Sequence, residues 1–162
     1  MSLRNFLVAV ATMLVASAGA AEMGQAAPEF DLPGARGPVK LSAMRGKVVY
    51  VDFWASWCGP CKQSFPWMNE MQAKYGAQGL EIVGINVDKK RADADGFLAG
   101  TPAKFTVAYD DKGVTPTAYK IQGMPSSYLV DRNGKIVATH AGFRDDERAK
   151  LEAKLRAALG IK

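Results

Sequence analysis

Val48-Val49-Tyr50-Val51-Asp52-Phe53-Trp54-Ala55-Ser56-Trp57-Cys58-Gly59-Pro60-Cys61-Lys62 joins an apolar run to a pair of cysteines. Val48 to Val51, resumed after Asp52 by Phe53-Trp54, has the pattern of a strand buried on both faces. Proline is favoured at the first position of a helix, so a helix is predicted to start at Gly59 or Pro60. It continues through Phe65, Met68, Met71 and Tyr75, spaced by three and four residues, with a kink expected at Pro66. Gly76 and Gly79 mark its end. Both cysteines therefore stand at a strand-to-helix junction.

On the C-terminal side, Leu80 to Val87 reads as a second buried strand and Arg91 to Gly100 as a polar helix with Phe97 and Leu98 inward. Phe105 to Tyr109 is a third strand, and Gly113 to Ile121 a weaker helix or loop. Ser127–Val130 and Lys135–Ala138 flank Asp131-Arg132-Asn133-Gly134, whose Asn-Gly predicts an antiparallel hairpin. The last helix begins near Asp145, with Asp145, Asp146 and Glu147 at its positive end and an apolar stripe of Leu151, Leu155 and Leu159. On the N-terminal side, Glu29–Leu32 and Pro38–Leu41 predict two short strands with Pro33-Gly34 turning between them, followed by a turn over Ser42–Gly46. These elements predict an α/β fold: a central mixed sheet with helices on both faces, an N-terminal β extension and an insert in the middle. In such sheets reactions take place beyond the carboxyl ends of the strands, where Cys58 and Cys61 fall.

The first twenty residues read as an address. Arg4, the apolar stretch Phe6 to Ala16 and the small residues Ala18-Gly19-Ala20 have the form of a signal peptide. Residues 1–20 are expected to be removed, with cleavage after Ala20 or Ala21, leaving 21–162 as one domain; an uncleaved anchor is the alternative. No cysteine lies near that point to carry a lipid. The apolar stretch falls short of the roughly 20 residues that span a bilayer. A composition of 48% hydrophobic and 23% charged residues excludes disordered and collagen-like classes. The net charge of +5 without a basic run gives no reason to expect a nucleic-acid partner.

The chain has two cysteines, and in an oxidising compartment such a pair is usually a structural crosslink. A Cys-x-x-Cys ring is too short to gain much chain entropy, which favours a reactive role. At a helix N-terminus the dipole favours the Cys58 thiolate, while Cys61, one turn further on, is placed to resolve a mixed disulfide at Cys58. Asp52 interrupts a buried strand, where burial raises its pKa and fits it to accept a proton in the resolving step. The alternative is a structural ion pair with Lys47, Lys62 or Lys74. Pro125, in Gly123-Met124-Pro125-Ser126-Ser127 before a strand, is a candidate for a cis peptide bond; an ordinary loop proline is the alternative.

Residues 51–62 resemble the active-site segment of thioredoxins, and Pro66 and Pro125 match the same pattern. Ala27-Pro28-Glu29-Phe30-Asp31-Leu32, Leu41-Ser42, Arg45-Gly46-Lys47-Val48-Val49, the insert between the second and third strands, and Met124 to Ile136 resemble exported thiol-disulfide oxidoreductases of the TlpA/ResA-like group, over roughly residues 27–159. The resemblance implies a thioredoxin fold, Cys58 as attacking and Cys61 as resolving cysteine, and Asp52 as buried acid. It also implies that Pro125 is a cis proline bordering the peptide groove and that Trp57 shields the sulfurs, with Gly59 and Pro60 opening the helix. Two positions depart from the group's pattern. No glutamate from the insert has a placed equivalent, which leaves its duty to Asp52, and Met124 stands before the proline where a smaller β-branched residue is usual.

The expected activity is protein-disulfide reduction in the periplasm, on disulfide-containing envelope proteins such as apocytochrome c during cytochrome c maturation. The protein is expected to act as a monomer fed by a membrane-bound electron donor, with no cofactor beyond the Cys58/Cys61 dithiol and no metal. Gly59-Pro60 resembles the reducing thioredoxins; a disulfide-forming oxidase is the alternative. The N-terminal text also resembles peroxiredoxins, but Ala55 stands where those enzymes place a Thr or Ser three residues before the reactive cysteine. A soft-metal (copper) carrier is the remaining possibility. A closed structural zinc site takes four ligands, and beside the two cysteines there is only His140, expected at a surface or strand end.

Overall fold

Every residue of β3 (Val48–Trp54) is buried. The computed structural model describes residues 21–162, so the expected signal peptide lies outside the described residues. The preceding elements are β1 (Asp31–Gly34), β2 (Gly37–Lys40) and a 3-10 turn over Leu41–Met44. After β3 come α1 (Gly59–Tyr75), β4 (Leu80–Asn86), α2 (Arg91–Gly100), β5 (Thr106–Tyr109) and α3 (Val114–Ala118). The hairpin β6 (Ser126–Val130) and β7 (Ile136–Ala141), a 3-10 turn over Asp145–Glu147 and α4 (Arg148–Leu159) complete the chain.

The strands form one seven-stranded sheet in the order β2-β1-β5-β4-β3-β6-β7. β3, β4 and β5 run parallel, while β6, β7 and the β1–β2 hairpin are antiparallel to their neighbours. Alternation along β3 divides the core. Val48, Tyr50 and Trp54 pack with Phe65, Met68 and Met71 of α1 and with Leu151 and Leu155 of α4. Val49, Val51 and Phe53 pack on the opposite face with Phe30, Leu41, Tyr119 and Ile136. Opposite Asp52 in the parallel pair stands Gly84, where a Cβ would come within 2.9 Å of Phe105 and 3.2 Å of Trp54. The large rings on either side leave room there for glycine alone.

The mixed sheet, its N-terminal β extension and the helices on both faces are as expected, with two differences in detail. Pro33-Gly34 does not turn the first hairpin: it ends β1, pairing with Pro38 and Gly37, and Ala35-Arg36 makes the reversal. β1 meets β5 only at Gly34, so the missing N–H of Pro33 leaves no ladder bond broken on that side. Gly34 is pressed within 2.6 Å of a Val39 methyl and 2.7 Å of the Gly37 carbonyl at its would-be Cβ, so close packing explains that glycine. β7 also runs on to Ala141, three residues past the expected end, and carries His140 onto the sheet.

Candidate active site

Cys58 is the N-cap of α1, and its Sγ accepts a hydrogen bond from the Cys61 backbone N–H at 3.3 Å. Pro60 lies in the first turn, where its missing N–H leaves no helical bond unmade. Cys58 and Cys61 are joined as a disulfide, with Cα atoms 5.3 Å apart. Cys61 is wholly enclosed and Cys58 is 5% exposed, so Cys58 is the sulfur that an incoming group meets first. The first turn of α1 has no acidic residue to offset its positive end. A thiol released at Cys58 therefore sits where a thiolate is favoured.

Asp52 has the same parity on β3 as Tyr50 and Trp54, so its carboxyl points into the layer that contains both cysteines. It is 2% exposed, and its Oδ2 has no hydrogen-bond partner. Burial holds its pKa well above the usual carboxylate range. Two of the ion pairs weighed for it are ruled out: Lys47 bonds Glu81 at 3.0 Å and Lys74 bonds Glu152 at 2.6 Å. The Tyr50 hydroxyl, raised by burial and by the neighbouring Asp52, donates to Ser127 Oγ at 2.8 Å.

The Met124-Pro125 bond is cis. The antiparallel register Phe53↔Ser126 sets that dipeptide beside the end of β3, on the same edge of the sheet as Cys58. Met124 packs, partly buried, against the cluster that holds both cysteines. Trp57 is 72% exposed and lines a shallow cavity of about 260 Å³ with Cys58, Gly59, Lys62 and Thr101. Next to the sulfur there is thus an open surface of mixed character, bordered by the Trp57 ring, rather than a closed pocket.

A second carboxylate escaped the sequence reading. Asp88, just past the end of β4, is buried and accepts the Ser56 N–H and the Ser56 hydroxyl, each at 2.9 Å. Asn86 donates to the same carboxylate at 2.7 Å and accepts the Asp88 N–H at 3.1 Å. The segment leading into Trp57-Cys58 is thereby tied to the neighbouring strand. The one signal that could have found Asp88 is its place at the carboxyl end of a buried parallel strand.

A cysteine pair capping a helix, over a buried carboxyl and beside a cis proline, is a dithiol–disulfide centre. The Redoxin family matches residues 22–155. The chain belongs to that family. A thiol-disulfide oxidoreductase ResA of Bacillus thuringiensis subsp. konkukian is 34% identical over 130 residues, covering 78% of this chain and 74% of its own. A crystal structure from Chlorobium tepidum, assigned to thiol:disulfide interchange protein DsbE, superposes with a TM-score of 0.84 at 58% identity, covering 86% of this chain and 99% of its own. A solution structure from Bacteroides thetaiotaomicron, assigned to a protein disulfide isomerase, gives 0.78 at 28% identity over 86% of this chain and 91% of its own. The fold is the thioredoxin fold, the group is TlpA/ResA-like, and the chain is a protein thiol-disulfide oxidoreductase with Cys58 and Cys61 as its redox pair.

Proposed function

We propose that this oxidoreductase works outside the cytoplasm as a reductase of disulfides in envelope proteins. The observation that carries the reading is the unpartnered Asp52 carboxyl, buried on the sheet face that holds the Cys58–Cys61 pair. In the reduced enzyme the Cys58 thiolate attacks one sulfur of the substrate disulfide, and the other substrate sulfur leaves as a thiolate. Cys61 then gives its proton to Asp52, and its sulfur attacks Cys58 Sγ. The second substrate sulfur leaves, taking the electron pair of the mixed disulfide, and the enzyme is left with the Cys58–Cys61 bond. A dithiol donor restores it.

In this scheme Trp57, Met124 and Pro125 form the surface on which the substrate peptide lies, and Asp88 holds the loop in front of it. The signal-like N-terminus supports export, and the likeness to proteins named ResA and DsbE supports a place in the envelope, with apocytochrome c among the candidate clients and a membrane dithiol as donor. Equilibration of the purified protein against glutathione or dithiothreitol buffers tests the direction of flow. A potential below about −200 mV, towards thioredoxin, fits a reductase, and one near the DsbA end, about −120 mV, assigns disulfide formation to the same residues. A pair that does not exchange at all overturns both and leaves the metal carrier.

A further inference from the structure

Asp52, Ser127 and His140 lie in a single row across three strands. The registers Asp52↔Ser127 and Ser127↔His140 make them directly opposite neighbours on β3, β6 and β7. Directly opposite residues project from the same face, with Cβ atoms about 5 Å apart. The flanking row confirms the face: Tyr50, Leu129 and Ala138 all pack into the layer that contains Cys61. The row thus runs from beneath the active site to the edge strand β7.

The groups along it are suited to passing a proton. Ser127 Oγ accepts from Tyr50 at 2.8 Å and keeps its own proton to donate. Tyr50, Ser127, Thr139 and His140 line a cavity of about 10 Å³. That is about the room one water needs. At the outer end the His140 side chain is 14% exposed, and its Nε2 lies 3.4 Å from Glu147 Oε2. An imidazole is the side chain that takes and releases a proton most readily near neutral pH.

We propose that His140 is a positioning residue for proton exchange at the active site, connecting the buried Asp52 carboxyl to solvent through Ser127, Tyr50 and the cavity between them. The inference rests on the reading of Asp52 as proton acceptor for Cys61. A carboxyl kept protonated by burial cannot accept from Cys61 until it has released the proton it holds. That proton passes from Asp52 along the hydroxyls to the His140 imidazole, and from there to water beside Glu147. No electrons move along this path. The charged groups around its outer end are Glu147 and Arg144, 3.8 Å apart, Arg148, paired with Asp145, and Lys154, which lines the cavity from α4. At the inner end Asp52 faces Tyr50 of its own strand and the cysteines of α1.

The test is single-turnover oxidation of the reduced protein by a disulfide peptide, followed by fluorescence from low to high pH. The variants are His140→Gln, His140→Ala and Asp52→Asn. Relay through His140 predicts a loss of roughly tenfold in both His140 variants, a fraction of what general acid–base groups contribute. The deficit is greatest over the pH range in which Asp52 still holds its proton and a free imidazole is neutral, and closes at high pH, where Asp52 is already ionised. Free imidazole restores His140→Ala and leaves Asp52→Asn unrestored. In the unsubstituted protein the ring nitrogen resonances of His140 shift as Asp52 titrates. Unchanged rates and pH profile in both His140 variants overturn the relay, and so does a loss that imidazole does not restore. A His140 ring that ignores the titration of Asp52 overturns it as well, even if neither variant folds. An Asp52→Asn protein with the full rate overturns instead the underlying assignment of the acid.

Discussion

On one face of β3, Val49, Val51 and Phe53 point into a layer with Phe30, Leu41, Tyr119 and Ile136; on the other, Tyr50 and Asp52 stand among the cysteines, Trp67 and the helices α1 and α4. Both faces are equally buried, yet only the second contains a carboxyl oxygen without a partner. The first face follows the rule that buried groups are apolar or satisfied. The second departs from it at Asp52 and at the indole N–H groups of Trp54 and Trp67, and Asp52 is the one proposed as proton acceptor for the cysteines. The same strand therefore serves cohesion on one side and chemistry on the other, because successive side chains point opposite ways.

Phe53→Ala should separate the two faces most sharply. It removes a fully buried ring that meets Tyr119 and Tyr128, with a loss of about 3–5 kcal/mol in chemical denaturation. Single-turnover exchange, measured where the variant is still folded, should be close to normal. Asp52→Asn should do the reverse. We expect a fall of about 100-fold in the resolving step, about 2.7 kcal/mol of barrier, together with a higher unfolding midpoint at neutral pH.

The pH dependence of stability sharpens the same contrast. Asp52 has a folded pKa raised above its unfolded value of 3.8, so between the two the folded chain holds a proton that the unfolded chain has lost. Stability from this group is full below 3.8 and declines as pH rises towards the folded pKa. Denaturation midpoints should therefore fall over that window in the natural protein and stay flatter in Asp52→Asn. An unchanged slope would show that the carboxyl is not held protonated.

Gly84→Ala should destabilise by about 1–3 kcal/mol, since the new methyl meets Trp54 and Phe105 on the chemical face. Lys47→Ala breaks a pair with Glu81 in which Lys47 is half exposed, and should change stability by less than about 1 kcal/mol. A large effect at Lys47 would mean that the rim of the sheet matters more than either face.

Elements that announce themselves locally were legible in the chain. The apolar runs of β3 and β4 and the Pro60 start and glycine end of α1 stand within one or two residues of expectation. Although β7 runs on three residues further, the Asn-Gly turn and the leucine stripe of α4 fall where they were expected. So do the positions that meet at the site: a carboxylate inside an apolar strand, a Cys-x-x-Cys at a helix start, a proline before a strand. Asp88 was missed because its partner, Ser56, is 32 residues away in sequence. The strand pairing of Pro33-Gly34 was misread because a turn signal and a close-packed strand end both call for glycine.

Local chemistry, then, specified which strand is buried, where the helix begins and which two sulfurs react, since those follow from side-chain type and spacing along the chain. Register across strands settled the rest. Only pairing between distant segments could put Ser127 opposite Asp52 and His140 opposite Ser127, or bring Asp88 under the loop before Cys58. A strand's own residues state which of them share a face, but the neighbour that each one meets depends on how far the next strand has slid.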